Sequence, residues 1–180
     1  SNDVIQISEA LHSQWLSHLA EMIATNDDIR LICIAGPSAS GKTTTAQRLR
    51  IQIQVFGKRA FMISLDDYFV ERERTPRDEK GNYDFEALEA LDLDLINDNL
   101  IKLIEGFEVE LPRFNFFTGS RERGRTVRLG KDTIIIVEGI HGLNESISQS
   151  VPEAQKWRLY VSLLTGINLD RHNRTSTTDN

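Results

Sequence analysis

The chain has 180 residues, of which 39% are hydrophobic and 27% charged, a composition typical of a globular domain and atypical of collagen-like or disordered chains. Its 21 lysines and arginines against 27 acidic residues give a net charge of −6, which disfavours nucleic-acid and membrane partners. The single cysteine, Cys33, excludes an intrachain disulfide and is typical of a cytoplasmic protein. A homo-oligomer is compatible with this composition.

The first half of the chain alternates between helical and strand-like patterns. The patterns predict an amphipathic helix at residues 8–25, a strand at 30–35 and a second helix at 44–56. A second strand at 60–65 and a polar loop at 71–82 follow. We therefore expect an N-terminal helical segment, residues 1–28, followed by one domain over residues 29–180.

The second half predicts two helices, a hairpin and two buried strands. They fall at residues 85–91 and 95–104 (helices), 109–111 and 126–129 (a β-hairpin within about 107–132), and 133–137 and 159–163 (strands). Strands that alternate with helices predict an α/β fold with a mostly parallel sheet and helices on both faces. Ligands of such sheets bind beyond the carboxyl ends of the strands, where Asp66 and Glu138 fall.

A phosphate-binding motif follows the strand at 30–35. Its eight residues fit the pattern G-x-x-x-x-G-K-[ST] of the P-loop: Gly36, Pro37, Ser38, Ala39, Ser40, Gly41, Lys42 and Thr43. Successive backbone N–H groups of such a loop, with the N-terminus of the next helix, bind phosphate oxygens. We expect Lys42 to reach the β- and γ-phosphates of ATP, Thr43 to ligate Mg²⁺, and Thr44 to complete the site. The fold class is then the three-layer P-loop NTPase fold, with a small β-hairpin.

Carboxylates at strand ends supply candidates for the remaining chemistry. Glu138 follows an apolar strand and is predicted to serve the metal, directly or through water. Asp66, at the end of another strand, could accept the proton of an acceptor hydroxyl. Its neighbour Asp67 is the alternative base, and either aspartate could instead cap the next turn.

Five segments of the sequence resemble uridine kinases of the phosphoribulokinase/uridine kinase family. They occur in the family's order and comprise the P-loop, Ser64-Leu65-Asp66-Asp67-Tyr68-Phe69, Asn82-Tyr83-Asp84-Phe85, Leu111-Pro112-Arg113-Phe114-Asn115-Phe116 and Val137-Glu138-Gly139-Ile140. The resemblance covers about residues 30–174. It looks most like the bacterial branch in which a uridine-kinase-like domain follows an N-terminal TGS-type domain.

The resemblance implies a role for each matching residue. Asp66 would be the base for a ribose 5′-hydroxyl, Asp84 would hold the ribose hydroxyls, and Thr43 and Glu138 would serve Mg²⁺. The implied substrate-binding residues are Asp66, Tyr68, Tyr83, Asp84, Arg113, Phe114, Phe116, Arg171 and Arg174.

Two places depart from the family's pattern. A tyrosine and a histidine read the pyrimidine edge in family members, whereas Phe114 and Gly119 stand here and cannot donate a side-chain hydrogen bond. We therefore expect broad or non-pyrimidine acceptance. The family's arginine-rich lid would begin near Asn180, so the sequence predicts a lid cut short in what is part of a longer chain.

The predicted function is ATP- and Mg²⁺-dependent transfer of a phosphoryl group to a nucleoside 5′-hydroxyl. Two alternatives stay open: a kinase for another small hydroxyl substrate, and a regulatory module that binds nucleotide without transferring phosphate. Asp66 and Asp84 distinguish the kinase from the module, because a pure switch has no acceptor hydroxyl to hold. The arginine run from Arg121 to Arg128 is predicted to be a solvated hairpin surface.

Overall fold

The structure is a computed structural model that describes residues 4–8, 12–37 and 41–162. Its strands are β1 (Val4–Ser8), β2 (Leu31–Ala35), β3 (Arg59–Ser64), β4 (Val109–Asn115), β5 (Ser120–Val127), β6 (Thr133–Glu138) and β7 (Lys156–Ser162). Its α-helices are α1 (His12–Thr25), α2 (Lys42–Val55) and α3 (Leu93–Ile104), and short 3₁₀ turns connect several elements.

The chain folds as two compact units. The sheet unit comprises Ser1–Ile63, Asp132–Leu143 and Pro152–Asn180. The hairpin unit comprises Ser64–Lys131 and Asn144–Val151. Each unit is continuous in space although the sheet unit is assembled from three stretches of sequence.

A five-stranded sheet forms the centre of the sheet unit in the described residues, in the order β1-β7-β2-β6-β3. The pairs β1–β7, β7–β2 and β2–β6 are parallel, with Leu31 opposite both Lys156 and Ile135. Every residue of β2 and β6 is buried, as expected for central strands of a parallel sheet covered on both faces. Parallel pairing brings the carboxyl ends of β2 and β6 to one edge.

One hydrophobic core joins this sheet to α1 and α2. Alternate residues of the strands, such as Ile32 and Ile34 of β2, point to this core because side chains alternate between the faces of a strand. Leu16 and Ile23 of α1 pack there with Leu49 and related residues of α2. The core therefore holds the N-terminal end of α2 at a fixed place relative to β2.

The hairpin unit contains α3 and the antiparallel pair β4–β5. The hairpin pairs Val109 with Val127 and Asn115 with Ser120, with a register shift between Glu110 and Pro112. Asp92 caps α3 by accepting a hydrogen bond from the backbone N–H of Leu95 at 3.1 Å. The mostly parallel sheet and the separate small hairpin confirm the predicted α/β fold class.

The structure differs from the predicted elements at three places. Residues Val4–Ser8 form β1 by pairing with β7, so the first helix begins at His12 rather than at residue 8. The helix predicted at 85–91 is only the 3₁₀ turn Leu88–Ala90, because the backbone N–H groups of Val70 and Asp92 bond to Ala90 and Tyr68 and extend the chain. The hairpin strands are longer than predicted.

Among the described residues, no helix combines the length and the apolar character that a membrane crossing requires.

Candidate active site

The phosphate-binding loop lies between β2 and α2, as the sequence predicts. Gly36 is buried directly after β2, and Pro37 is exposed. Gly41 caps α2 with a φ of +82°, a left-handed conformation that glycine adopts without strain. Its carbonyl accepts the Thr45 N–H at 2.8 Å. The other three members of the motif, Ser38, Ala39 and Ser40, lie outside the described residues.

The N-terminus of α2 has the properties of an anion site. Within the part of the chain that the structure describes, no side chain caps the N-terminus of α2, and the first turn of the helix contains no acidic residue. Lys42 is half-buried, while Thr43 and Thr44 are exposed. The first N–H groups of a helix and its positive dipole end attract phosphate oxygens, so this end of a 14-residue helix suits a polyphosphate.

Glu138 lies beside the strand that leads into this loop. It is the last residue of β6 and is in register with Ile34 of β2, two residues before Gly36. Its neighbour Gly139 donates its N–H to the Ile34 carbonyl at 3.1 Å. Glu138 is 8% exposed, so its carboxylate is mostly shielded from water. An acid at this place is a suitable oxygen ligand for a cation bound with phosphates.

The backbone that follows Glu138 packs closely on the same strand end. A Cβ on Gly142 would lie 2.7 Å from the carbonyl oxygen of Ile34. The Gly142 N–H also donates to the Gly139 carbonyl at 3.1 Å. Only glycine permits this approach, which holds the end of β6 against the end of β2.

The acceptor side of the predicted site lies in the hairpin unit, where Asp66 and Asp67 stand in a 3₁₀ turn after β3. The Ser64 hydroxyl accepts the Asp66 N–H at 3.2 Å and begins that turn. Asp66 is exposed, whereas Asp67 is half-buried. The two carboxylates therefore differ in their access to solvent.

Burial raises the pKa of Asp67, and the neighbouring charge of Asp66 raises it further. A hydrogen bond from the backbone N–H of Phe114 and the charge of Arg113 act in the opposite direction. Asp67 is thus oriented by β4 and binds a proton more readily than an ordinary aspartate. The exposed carboxylate of Asp66 is accessible to an acceptor that binds from solvent.

Tyr68 corrects one prediction. Its ring is 2% exposed, and its hydroxyl oxygen accepts a hydrogen bond from Asn99 Nδ2 at 2.9 Å. Burial raises the pKa of Tyr68 to about 12. A side chain enclosed in this way cannot contact substrate, so Tyr68 is a core residue and not a substrate ligand.

Four phenylalanines form an aromatic cluster under the hairpin: Phe69, Phe85, Phe114 and Phe116. Their rings meet edge to face, with the closest centroids, those of Phe114 and Phe116, 4.9 Å apart. Phe114 is only 5% exposed because its ring fills the cluster, which corrects the prediction that it binds substrate. Phe116 is 54% exposed and keeps a surface for an acceptor.

Tyr83 and Asp84 lie together on a loop that the backbone organises. Tyr83 forms an isolated bridge with Arg77, and the Asp84 N–H donates to the Pro76 carbonyl at 2.8 Å. The Asp84 carboxylate accepts the Glu86 N–H at 3.1 Å and is half-buried. Both predicted substrate residues are therefore held by local hydrogen bonds.

Two arginines that the sequence did not single out contact Tyr83. The guanidinium carbon of Arg77 lies 4.2 Å from the ring centroid, and that of Arg72 lies 5.5 Å from it. Arg72 also fills the space beside Gly119, where a Cβ would overlap its Nε. The side chain of Arg72 thus occupies the space that the glycine leaves at position 119. The only signal for Arg72 and Arg77 in the sequence is the high density of charged residues at 71–80.

Ion pairs account for the arginines of the hairpin itself. Arg113, predicted to bind substrate, is exposed and pairs with Glu122 at 3.2 Å. Arg121 pairs with Asp92 at 2.8 Å, and Arg123 lies 3.8 Å from a carboxylate oxygen of Glu110. The predicted contributions of Arg171 and Arg174 lie outside the described residues.

The chain is similar to known proteins in sequence and in fold. Residues 31–173 match the model of the phosphoribulokinase/uridine kinase family. An Arabidopsis thaliana protein named inorganic pyrophosphatase TTM2 is 34% identical over 145 residues, which cover 81% of this chain and 19% of that protein. The uridine kinase of Schizosaccharomyces pombe is 34% identical over 125 residues, 68% of this chain and 27% of the relative. The chain thus spans less than a third of either relative.

A solved structure described as a possible uridine kinase from Bacillus stearothermophilus has the same fold. The TM-score is 0.63 at 23% identity, and the match covers 82% of this chain and 79% of the other.

Proposed function

Because the chain belongs to the phosphoribulokinase/uridine kinase family, we propose that it is a kinase that transfers the terminal phosphoryl group of ATP to a hydroxyl of a small acceptor. A nucleoside 5′-hydroxyl is the first acceptor to test, since several similar proteins are named uridine kinases. The observation that carries the proposal is the N-terminus of α2, where no side chain among the described residues caps the helix, with Glu138 beside the strand that leads to it. The buried thiol of Cys33, which forms no disulfide, is compatible with a protein that functions in the reducing cytoplasm.

The sheet unit supplies the nucleotide side of the proposal. Backbone N–H groups at the start of α2 and the Lys42 ammonium would bind the phosphates. Thr43 and Glu138 offer the oxygen ligands that Mg²⁺ prefers, one exposed hydroxyl and one shielded carboxylate. When bound, the ion would supply positive charge that neutralises the phosphates.

The hairpin unit supplies the acceptor side. Asp66, exposed at its turn, would take the proton from the attacking hydroxyl, and Asp84 would hold neighbouring hydroxyls of the acceptor. The Asp67 carboxylate is half-buried and accepts a hydrogen bond from the backbone N–H of Phe114, so it is less accessible to an acceptor than the exposed carboxylate of Asp66. We therefore assign the base to Asp66 and a supporting place to Asp67.

The proposal is tested in two steps on the same protein. Calorimetry with ATP and Mg²⁺ first measures binding, and a transfer assay with γ-labelled ATP then screens nucleosides and sugar alcohols. Lys42→Ala should lose most of the ATP affinity, whereas Lys102→Ala, which alters an exposed lysine of α3 paired with Asp98, should keep it. Binding without transfer to any acceptor would instead identify a nucleotide-binding regulatory module.

A further inference from the structure

Two cations converge on a single ring in the hairpin unit. Arg72 and Arg77, which we call the arginine pair, both place a guanidinium within 5.5 Å of the centroid of Tyr83. A tyrosine ring attracts a cation over its face but carries no net negative charge, so it leaves the positive charge of both guanidinium groups in place. That charge is available to an anion.

The arginine pair has no carboxylate partner among the described residues. Arg77 Nη1 donates to the Gly81 carbonyl at 2.7 Å, and Arg72 Nη2 donates to the Phe116 carbonyl at 3.1 Å. Backbone carbonyls orient a guanidinium but do not neutralise its charge. Three arginines of the hairpin strands differ, because Arg113, Arg121 and Arg123 pair with Glu122, Asp92 and Glu110, respectively.

The same contacts hold the pair in position. The Arg72 Nε is buried against Gly119, so this side chain is fixed at the turn of the hairpin. One hydrogen bond to the Gly81 carbonyl and the cation–π contact with the ring of Tyr83 orient Arg77. Within the described part of the chain, Nη1 of Arg72 and Nη2 of Arg77 have no hydrogen-bond partner and remain available as donors. A site fixed in advance binds its ligand with less loss of entropy.

We propose that the arginine pair binds a carboxylate or phosphate group of the acceptor, so that the substrate carries a negative charge in addition to its hydroxyl. The planar guanidinium fork matches the oxygens of both groups. Asp84, next to Tyr83 in sequence, would hold the uncharged hydroxyl part of the same molecule. The inference rests on the proposed kinase function and narrows its acceptor class from small hydroxyl compounds in general to those that carry a negative charge.

The first experiment compares acceptors that differ only in charge. A transfer assay measures sugar alcohols, the corresponding sugar acids and sugar phosphates, with uridine as the neutral nucleoside. We expect the acids or the phosphates to be preferred over their neutral counterparts, and which of the two is preferred identifies the anion. Arg77→Gln should raise KM for that acceptor about 10- to 100-fold with kcat nearly unchanged, the loss typical of one hydrogen bond to a charged group.

Arg74→Gln is the matched control. Arg74 is exposed on the same 3₁₀ turn as Arg72, with its own backbone N–H bonded to Glu71. Its replacement removes one positive charge near the pair, so an equal rise in KM would show a general field effect and overturn the inference. A preference for uridine that Arg77→Gln leaves unchanged would overturn it as well.

The second experiment does not depend on turnover. Inorganic phosphate and acetate are titrated into the Lys42→Ala protein while NMR follows the side-chain Nε–H signals of Arg72 and Arg77. Saturable shifts that Arg77→Gln weakens would support the anion site even if no acceptor were phosphorylated, in which case the kinase proposal alone fails. Unmoved signals with both anions would overturn the site and leave the kinase proposal standing.

Discussion

The phosphate end of the sheet unit and the acceptor end of the hairpin unit are built from different parts of the chain. Backbone groups make the first: Gly41 caps α2, and Gly142 packs on the carbonyl of Ile34. Side chains make the second, where Arg72 fills the space beside Gly119 and stacks near Tyr83.

This difference explains why one short motif marks the phosphate end, whereas the residues of the acceptor end are spread over several segments. Backbone N–H groups bind phosphate whatever side chains surround them, so the motif needs glycines at fixed spacing and only Lys42 and Thr43 as further side chains. An acceptor site depends on which side chains meet across a fold, and that is decided by packing. Variants at the two ends should therefore fail in different assays.

The largest effect is expected at the acceptor carboxylates. Asp66→Asn should lower kcat by about 10²–10⁴ because an amide cannot accept the proton of the attacking hydroxyl. ATP affinity should stay close to that of the natural protein, since Asp66 belongs to the hairpin unit. Steady-state kinetics and calorimetry measure the two effects separately. If Asp67→Asn showed the loss in kcat and Asp66→Asn did not, the base would be Asp67.

Gly142→Ala should give the next largest effect. Its Cβ would meet the Ile34 carbonyl oxygen at 2.7 Å, and a backbone atom in a central strand cannot move aside. Overpacking of this kind costs about 1–3 kcal/mol, so both stability and ATP affinity should fall. Chemical denaturation and calorimetry measure them. Normal ATP binding in a folded Gly142→Ala protein would show that this contact does not support the phosphate site.

Gly119→Ala should act on the acceptor end alone. A side chain at its φ of +69° costs about 1–2 kcal/mol and displaces Arg72. We expect a higher KM for the acceptor with unchanged ATP affinity. Gly57→Ala is the control, because Gly57 also has a positive φ, +95°, but no atom within 4 Å of its Cβ position. Equal acceptor KM values in the two variants would contradict a role for Arg72.

The smallest effects concern pH, which should act in opposite directions on the two units. Hydrogen bonds from Arg158 lower the pKa of Glu153 in the sheet unit, whereas burial raises the pKa of Asp67 in the hairpin unit. Glu153 therefore stabilises the fold above its unfolded pKa of about 4.3, and the gain is lost as pH falls through its lower folded value. Asp67 contributes below its unfolded pKa of about 3.9, and that contribution is lost as pH rises through its raised folded value.

Thermal unfolding at several pH values tests the opposite pH dependences predicted for Glu153 and Asp67. Glu153→Gln should lower the melting temperature at neutral pH, with the difference shrinking in acid. Asp67→Asn should raise the melting temperature slightly at neutral pH, because the amide keeps the hydrogen bond from Phe114 without a partly buried charge. A melting temperature lowered at neutral pH by Asp67→Asn would contradict the raised pKa.

The sequence predicted the parts of the fold whose patterns are local. Continuous apolar runs marked β2 and β6, and the P-loop motif marked the start of α2. The strand β1 was missed because its five residues are stabilised by β7, about 150 positions away. The prediction of a helix at 85–91 was wrong because backbone hydrogen bonds to residues distant in sequence outweigh the helical spacing of its apolar residues.

Side-chain placement was harder to predict than backbone structure. Tyr68 and Phe114 carry the family pattern, yet packing turns both rings into the interior. Arg72 and Arg77 lie in a polar stretch where charge alone cannot indicate which ring a guanidinium will contact. These residues could be identified only once the hairpin turn and the loop at Tyr83 were placed together.

The separation of the two ends is tested most directly by ATP affinity in two variants. Calorimetry with Mg²⁺ should show that Lys42→Ala weakens ATP binding at least about tenfold, as expected for the loss of a charge-assisted contact to phosphate. Arg77→Gln should bind ATP as the natural protein does, while its KM for an anionic acceptor rises. Loss of ATP affinity in Arg77→Gln equal to that in Lys42→Ala, or full affinity in Lys42→Ala, would contradict the account.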